Sequence, residues 1–87
     1  MKKFFDWSEE KNEWLKQNRG ISFEEILVGM DNNHVLDIAE NPNHSNQKLM
    51  IMNFDNYAFV IPYVEDEKKL FFKTIYPSRK YTKIYLE

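Results

Sequence analysis

The chain has 87 residues, of which 43% are hydrophobic, and it contains seven Phe, five Tyr and two Trp. This length suits one domain with one modest core, and so many large apolar side chains exclude a chain that stays disordered. The formal net charge of -2 at pH 7 excludes a uniformly basic surface. Any contact with nucleic acid must therefore come from a local group of cations.

Several classes of protein are disfavoured by features that the chain lacks. It has no cysteine, which excludes disulfides and thiolate chemistry and fits a reducing compartment. The apolar runs are too short to cross a bilayer, and Asp6 precedes any signal-peptide core. His34 and His44 lie ten residues apart with no cysteine nearby, so no metal site is expected. The sequence predicts a cytoplasmic protein without membrane contact, metal or cofactor.

The first elements are a short strand and a helix. Phe4–Phe5 predicts the strand, and Asp6–Glu10 then begins a helix with acids in its first turn, where the helix dipole favours negative charge. Helical spacing continues to Asn18, and Gly20 suits a left-handed residue that ends the helix.

A second helix is predicted from Phe23 to Met30. Ser22 and Glu25 have the spacing of a capping box, and Ile21 and Ile26 have that of a hydrophobic staple around it. Capping therefore explains the acids at the start of this helix without a catalytic role. One tight turn joins the two helices.

The period then changes to that of strands, in four runs rich in β-branched and aromatic residues. The separators are short and turn-like, which predicts antiparallel hairpins and a meander sheet. The run at Lys48 is apolar on both sides, which indicates a central strand with helices packed on one face. The four predicted strands are Val35 to Glu40, Lys48 to Phe54, Tyr57 to Val64 and Leu70 to Tyr76.

A short helix is predicted to end this α+β fold. Pro77 removes a backbone donor and ends the last strand, and Ser78 then caps a helix that reaches Leu86. The prediction is one domain over residues 1–87. The large side chains predicted to fill its core are Trp7, Trp14, Phe23, Met50 and Met52.

Positive charge is concentrated at the carboxyl end of the chain. From Lys68 onward there are six basic residues and one acid, Glu87, although the whole chain is acidic. Arg and Lys can neutralise phosphate oxygens while aromatic rings stack on bases, so this segment is a candidate phosphate contact. The alternative is an exposed helix with ordinary solvated charges.

The amino-terminal half resembles BrnT-type toxins. These begin roughly as Phe-Glu-Trp-Asp, with a Lys four residues after the Trp and later Gly-Val-Ser-Phe-Glu-Glu. The matching residues here are Phe5-Asp6-Trp7, Lys11 and Gly20-Ile21-Ser22-Phe23-Glu24-Glu25, at the same distances without a gap.

The other half carries two further matches. His44-Ser45 followed by Lys48 is similar to the middle motif of the family, and Ile75–Thr82 is similar to its Ile-Ile-Ser-Ala-Arg-Arg-Ala-Thr ending. The chain departs from the family at Asn18-Arg19, where the family has Lys-His, at Asn46-Gln47, where it has an acid, and at Pro77, where it has Ser.

The resemblance implies a RelE-like ribonuclease fold and a toxin that cuts mRNA, free or on the ribosome, and so stops translation. It also implies a cognate antitoxin, usually a DNA-binding protein encoded beside the toxin, that neutralises it. Two alternatives stay open. One is a non-catalytic module of the same fold that binds a partner protein, and the other is a plain nucleic-acid-binding domain.

RNA can be cut without a metal ion when the 2′-hydroxyl attacks its neighbouring phosphate, which requires a base, an acid and fixed cations. The candidate catalytic residues are His44, Lys48, Lys73 and Arg79, and the candidate RNA-binding residues are Lys80, Tyr81 and Lys83. The alternatives are a solvated loop histidine for His44, protection of exposed strand edges for the two strand lysines, and helix packing for Tyr81.

The first three of these candidates are expected to meet in one groove. The strand that begins at Lys48 should be separated by only one strand from the run that holds Lys73, and His44 lies in the loop before it. If both lysines point to the same face of the sheet, the three side chains form a concave basic pocket.

Overall fold

The computed structural model describes residues 3–87. Within these residues the chain forms six strands and three helices. The strands are β1 (Phe4–Asp6), β2 (Val35–Glu40), β3 (Lys48–Phe54), β4 (Tyr57–Glu65), β5 (Lys69–Phe72) and β6 (Tyr76–Pro77). The helices are α1 (Glu9–Arg19), α2 (Phe23–Asp31) and α3 (Arg79–Leu86).

The strands form one sheet in the order β1-β5-β4-β3-β2, with β6 paired to β4 beside β5. Strands β2 to β5 are antiparallel neighbours in chain order, which confirms the predicted meander, and only β1, beside β5, is parallel among the described residues. The prediction of one strand from Leu70 to Tyr76 is wrong in detail. The chain leaves the ladder at Thr74 and re-pairs as β6.

Side-chain oxygens begin all three helices, because the first backbone N–H groups of a helix lack partners within it. Ser8, Ser22 and Ser78 accept from Lys11 N at 3.2 Å, Glu25 N at 3.2 Å and Tyr81 N at 3.1 Å. Gly20 has φ +65° and ends α1 in the left-handed region, as predicted.

The sheet is covered on both faces. The face that α1 and α2 cover is called the helix-pair face here, and the opposite one is called the α3 face. Met50 and Met52 point to the helix-pair face, whereas Leu49 and Ile51 point to the α3 face. This alternation explains why β3 is apolar on both sides and confirms that two helices pack on one face.

Stacked aromatic rings fill the helix-pair core. Phe23 of α2 lies 5.5 Å from Trp7 and 5.8 Å from Phe72 of β5, measured between ring centroids. Phe23 and Phe72 are fully buried, and Trp7 packs against them. The prediction that Trp14 lies in the core is wrong, since 41% of its surface is exposed on the outer side of α1.

A buried amide joins α1 to α2. Asn12 is fully buried; its Oδ1 accepts from Phe23 N at 2.8 Å, and its Nδ2 donates to Glu24 Oε1 at 2.8 Å. The second bond holds the pKa of the Glu24 carboxyl below its usual range. Asn12 thus satisfies the first N–H of α2 and fixes the angle between the two helices.

The longest helix in residues 3–87 is α1, with 11 residues. No helix in this part of the chain has the length and apolar character needed to span a membrane.

We expect Asn12→Ala to lower the free energy of unfolding by about 1–3 kcal/mol, because it leaves the buried Phe23 N–H without an acceptor. Urea unfolding followed by circular dichroism measures this change. Asn18→Ala is the matched control on the same helix, since exposed Asn18 bonds only the Trp14 carbonyl and its loss should cost less than about 0.5 kcal/mol. Equal losses in the two variants would contradict the role assigned to Asn12.

Candidate nucleic-acid interface

Helix α3 is anchored to the first residues of β4 by its own first turn. Ser78 N donates to the Ala58 carbonyl at 2.9 Å, and Ala58 N donates to Thr82 Oγ1 at 2.9 Å. The Thr82 hydroxyl in turn donates to the Ser78 carbonyl at 2.7 Å. The sequence Ser-Arg-Lys-Tyr-Thr therefore caps the helix and docks it at the same time.

The inner side of α3 packs on the sheet. Tyr81 and Tyr85 stack with ring centroids 6.1 Å apart, and both contact the core that Leu49 and Ile51 form. The Tyr85 hydroxyl donates to Asp37 of β2. This bond raises the pKa of Tyr85 and lowers that of Asp37. Tyr81 and Tyr85 share the side of the helix that faces the protein, which is the packing role given above as the alternative for Tyr81.

The outer side of α3 is basic. Arg79, Lys80 and Lys83 are exposed there, and we call them the α3 basic surface; Ile84, 56% exposed, lies among them. Within residues 3–87 none of the three forms an ion pair. Lys80 Nζ lies 5.4 Å from the Tyr81 ring centroid. An arrangement of free cations beside an aromatic ring suits contact with a phosphate backbone.

Lys73 lies on the α3 face of the sheet. Its backbone N donates to the Pro62 carbonyl at 2.8 Å, so it stands opposite Pro62, which is paired with Leu49 of the α3 core. Its Nζ lies 5.4 Å from the Phe71 ring centroid on that face. Lys73 is exposed and adds a fourth cation to the side of the molecule that carries the α3 basic surface.

Lys48 points the other way. It is paired with Tyr63 of β4, which belongs to the helix-pair core. Met50, two residues after Lys48 on the same strand and therefore on the same face, also belongs to that core. The expectation that Lys48 and Lys73 share one face is therefore wrong. β4 does lie between their strands, as predicted, but the pleat directs the two side chains to opposite sides.

His44 and Arg79 lie at different ends of the sheet. His44 is exposed in the loop between β2 and β3, where its carbonyl accepts from Gln47 N at 3.0 Å. Ser78, the residue before Arg79, is bonded to Ala58. Ala58 is paired with Asn53, near the end of β3 that is far from Lys48. That level is about 17 Å from Lys48 along the strand. The predicted groove of His44, Lys48 and Lys73 is not formed, and Arg79 lies apart from it.

The structure reveals a fixed arginine that the sequence analysis did not select. Arg19 Nη1 donates to the Ile75 carbonyl at 2.5 Å, and its guanidinium carbon lies 5.0 Å from the Trp14 ring centroid. Lys11 Nζ lies 4.3 Å from the centroid of the same ring. The three-residue spacing of Lys11 and Trp14 on one helix could have indicated that these two side chains meet. The bond of Arg19 to a residue 56 positions away has no such signal in the sequence.

Comparisons of this chain with models of protein families, with curated proteins and with solved structures found no match.

We expect Tyr85→Phe to lower the thermal midpoint at neutral pH and to have less effect in acid. The bond keeps the pKa of folded Asp37 below its unfolded value, so its contribution is present above roughly pH 4 and is lost as the pH falls through the folded pKa. Calorimetric scans of both proteins from pH 7 down to pH 2 measure the difference. A difference between them that stays constant over this range would contradict the assignment of the Asp37 carboxylate as the acceptor.

Proposed function

We propose that this chain is the toxin of a toxin–antitoxin pair, that it contacts mRNA through the α3 basic surface, and that it cleaves mRNA without a metal ion. It acts in the cytoplasm, which the absence of cysteine supports. A cognate antitoxin neutralises it.

The observation that carries the proposal is the exposed set of Arg79, Lys80 and Lys83 on a chain with net charge -2. The acids elsewhere do not neutralise these side chains within residues 3–87, where the salt bridges use Lys3, Lys16 and Lys69 instead. On an acidic protein, an unpaired basic helix favours approach to a polyanion with that helix facing it. The helix is short, but its two docking bonds to Ala58 hold it in place.

The order of the elements and the motif resemblance also support the proposal. The fold has one strand, two helices, a meander of four strands and a terminal helix, which is the order that the residue patterns predict. The carboxyl-terminal motif of that family falls on β6 and the first turn of α3. Its basic pair, Arg79-Lys80, therefore begins the helix that carries the exposed cations.

In the proposed reaction the 2′-hydroxyl oxygen attacks the adjacent phosphorus while the bond from phosphorus to the 5′ oxygen breaks. The 2′ proton passes to a base, and the leaving 5′ oxygen gains a proton, so the products are a 2′,3′-cyclic phosphate and a 5′-hydroxyl. Lys73 and Arg79 supply cations on the α3 side for the charge that develops on the phosphate oxygens. No residue is assigned as the base, because His44 lies at the other end of the sheet from Arg79.

A second candidate is a non-catalytic RNA-binding module. The observation that favours it is the separation of the four catalytic candidates, since Lys48 lies on the opposite face from Lys73 and Arg79 lies at the other end of β3 from Lys48. Catalysis needs its groups within hydrogen-bonding reach of one phosphate, whereas binding needs only a continuous basic surface.

We expect expression of the chain alone to arrest growth of a bacterial host, and co-expression of the protein encoded beside it to relieve the arrest. Arg79→Ala should abolish the arrest and change the free energy of unfolding by less than about 1 kcal/mol, because Arg79 is exposed and lies outside both cores. Growth curves and urea unfolding measure the two effects. RNA from the arrested cells should carry new 5′-hydroxyl ends.

Lys68→Ala is the control for the loss of one exposed charge, since Lys68 lies in the turn between β4 and β5, away from α3. It should remain toxic. Normal growth with soluble, folded wild-type protein would contradict the toxin proposal. Purified protein that binds RNA without producing 5′-hydroxyl ends would establish the non-catalytic module instead.

A further inference from the structure

A cleft of about 340 Å³ lies between the α1–α2 turn and the β3–β4 hairpin. This volume falls within the range of sites that hold small ligands. Arg19, Ile21 and Glu25 line one wall, and Phe54, Asp55 and Phe59 line the other. The cleft thus combines one cation, two carboxylates and two aromatic rings, and none of the residues predicted from the sequence as functional belongs to it.

The hairpin wall is built by a two-residue turn. Asp55 and Asn56 have φ of 55° and 65°, the left-handed pair that suits a tight hairpin. The turn places Phe54 beside Phe59, with ring centroids 5.9 Å apart and planes at 80°. The Phe54 and Phe59 rings therefore give this wall an aromatic surface on which a planar base can stack.

The helix wall holds a pre-oriented guanidinium. Arg19 is fixed by its bond to the Ile75 carbonyl and by its position beside the Trp14 ring. A guanidinium has five N–H groups, so this bond leaves donors for a phosphate. Because the group is already held in place, less conformational entropy is lost when it binds.

We infer that this cleft binds one guanine of single-stranded RNA. The inference rests on the proposed function and adds to it the base that the protein recognises. The Phe rings stack on the base, Arg19 contacts an adjoining phosphate, and Glu25 or Asp55 accepts from the base edge. Neither carboxylate accepts a hydrogen bond from another side chain within residues 3–87. Both are exposed and free to turn toward a ligand.

The carboxylates decide which base fits. Guanine has two adjacent donors on its pairing edge, N1–H and N2–H, which match the two oxygens of one carboxylate. Adenine and cytosine place an acceptor nitrogen beside their amino group, and uracil flanks its single N–H with two carbonyl oxygens. Each of these would put an acceptor against a carboxylate, and an unpaired polar contact of this kind is unfavourable.

One RNA strand can reach both the cleft and the α3 basic surface. Phe59 is paired with Pro77 of β6, and Arg79 follows Pro77 by two residues. Among the described residues β6 pairs only with β4, so no strand covers its outer edge. The strand can therefore place a phosphate on Arg79 and the base of a nearby nucleotide against Phe59.

The test compares a labelled nine-nucleotide oligoadenosine RNA with the same RNA carrying one central guanine, by fluorescence anisotropy at fixed salt. The wild-type protein should bind the guanine RNA roughly tenfold more tightly, the size of one good bidentate base contact. Glu25→Gln or Asp55→Asn should reduce this preference to less than about threefold, and Asn suits the left-handed backbone at position 55. Glu67→Gln, the same charge change in the β4–β5 turn, should keep it.

A second measurement separates this inference from the proposed function. Guanosine monophosphate should shift the amide NMR signals of Arg19 and Phe59, and adenosine monophosphate should shift them less. RNA binding without any preference for guanine would overturn the inference and leave the proposed function intact. No RNA binding, with shifts on guanosine monophosphate, would overturn the proposed function and the RNA part of the inference, and would leave only recognition of guanine by the cleft. If neither a preference for guanine nor these chemical shifts are observed, as expected for a cleft that docks a partner protein, the inference is overturned.

Discussion

The alternation of side chains along β3 is the constraint on which the rest of the structure depends. One set of its residues packs against α1 and α2, and the other set packs against α3, so the strand is buried on both sides. Because the pairing with β4 and β5 is continuous, the same alternation assigns a face to every residue of those strands. It sends Lys48 to the helix-pair face and Lys73 to the α3 face.

The two surfaces proposed to bind RNA follow from this two-sided arrangement. The α3 face carries a helix whose inner tyrosines are half-buried and whose outer cations are left without partners among residues 3–87, which suits contact with a phosphate backbone. The helix-pair face ends in a cleft with aromatic rings and a fixed Arg19. β6 lies at the open edge between the two, and we propose that RNA crosses the protein at this edge.

The fold was largely predictable from the sequence, and the site was not. Local rules located Ser22 and Ser78 as helix caps, Gly20 as a helix end and the bounds of β2 and β3, because each depends on neighbouring residues. The end of the ladder at Thr74 and the face of the sheet on which Lys73 lies depend on how the chain pairs with β4. The bond of Arg19 to the Ile75 carbonyl joins residues far apart in sequence. Such contacts carry no local signal, so cations that looked adjacent along the strands were assigned to one groove that does not form.

The most direct test of this account is the salt dependence of RNA affinity when the α3 basic surface is neutralised. The variant Arg79→Gln, Lys80→Gln, Lys83→Gln is compared with Lys16→Gln, Lys48→Gln, Lys68→Gln, which loses the same charge from other parts of the molecule. If each α3 cation contacts one phosphate, the slope of log affinity against log salt for single-stranded RNA should fall in magnitude by about 2 in the first variant. It should change little in the second. Equal slopes in the two variants would show that RNA does not bind through α3.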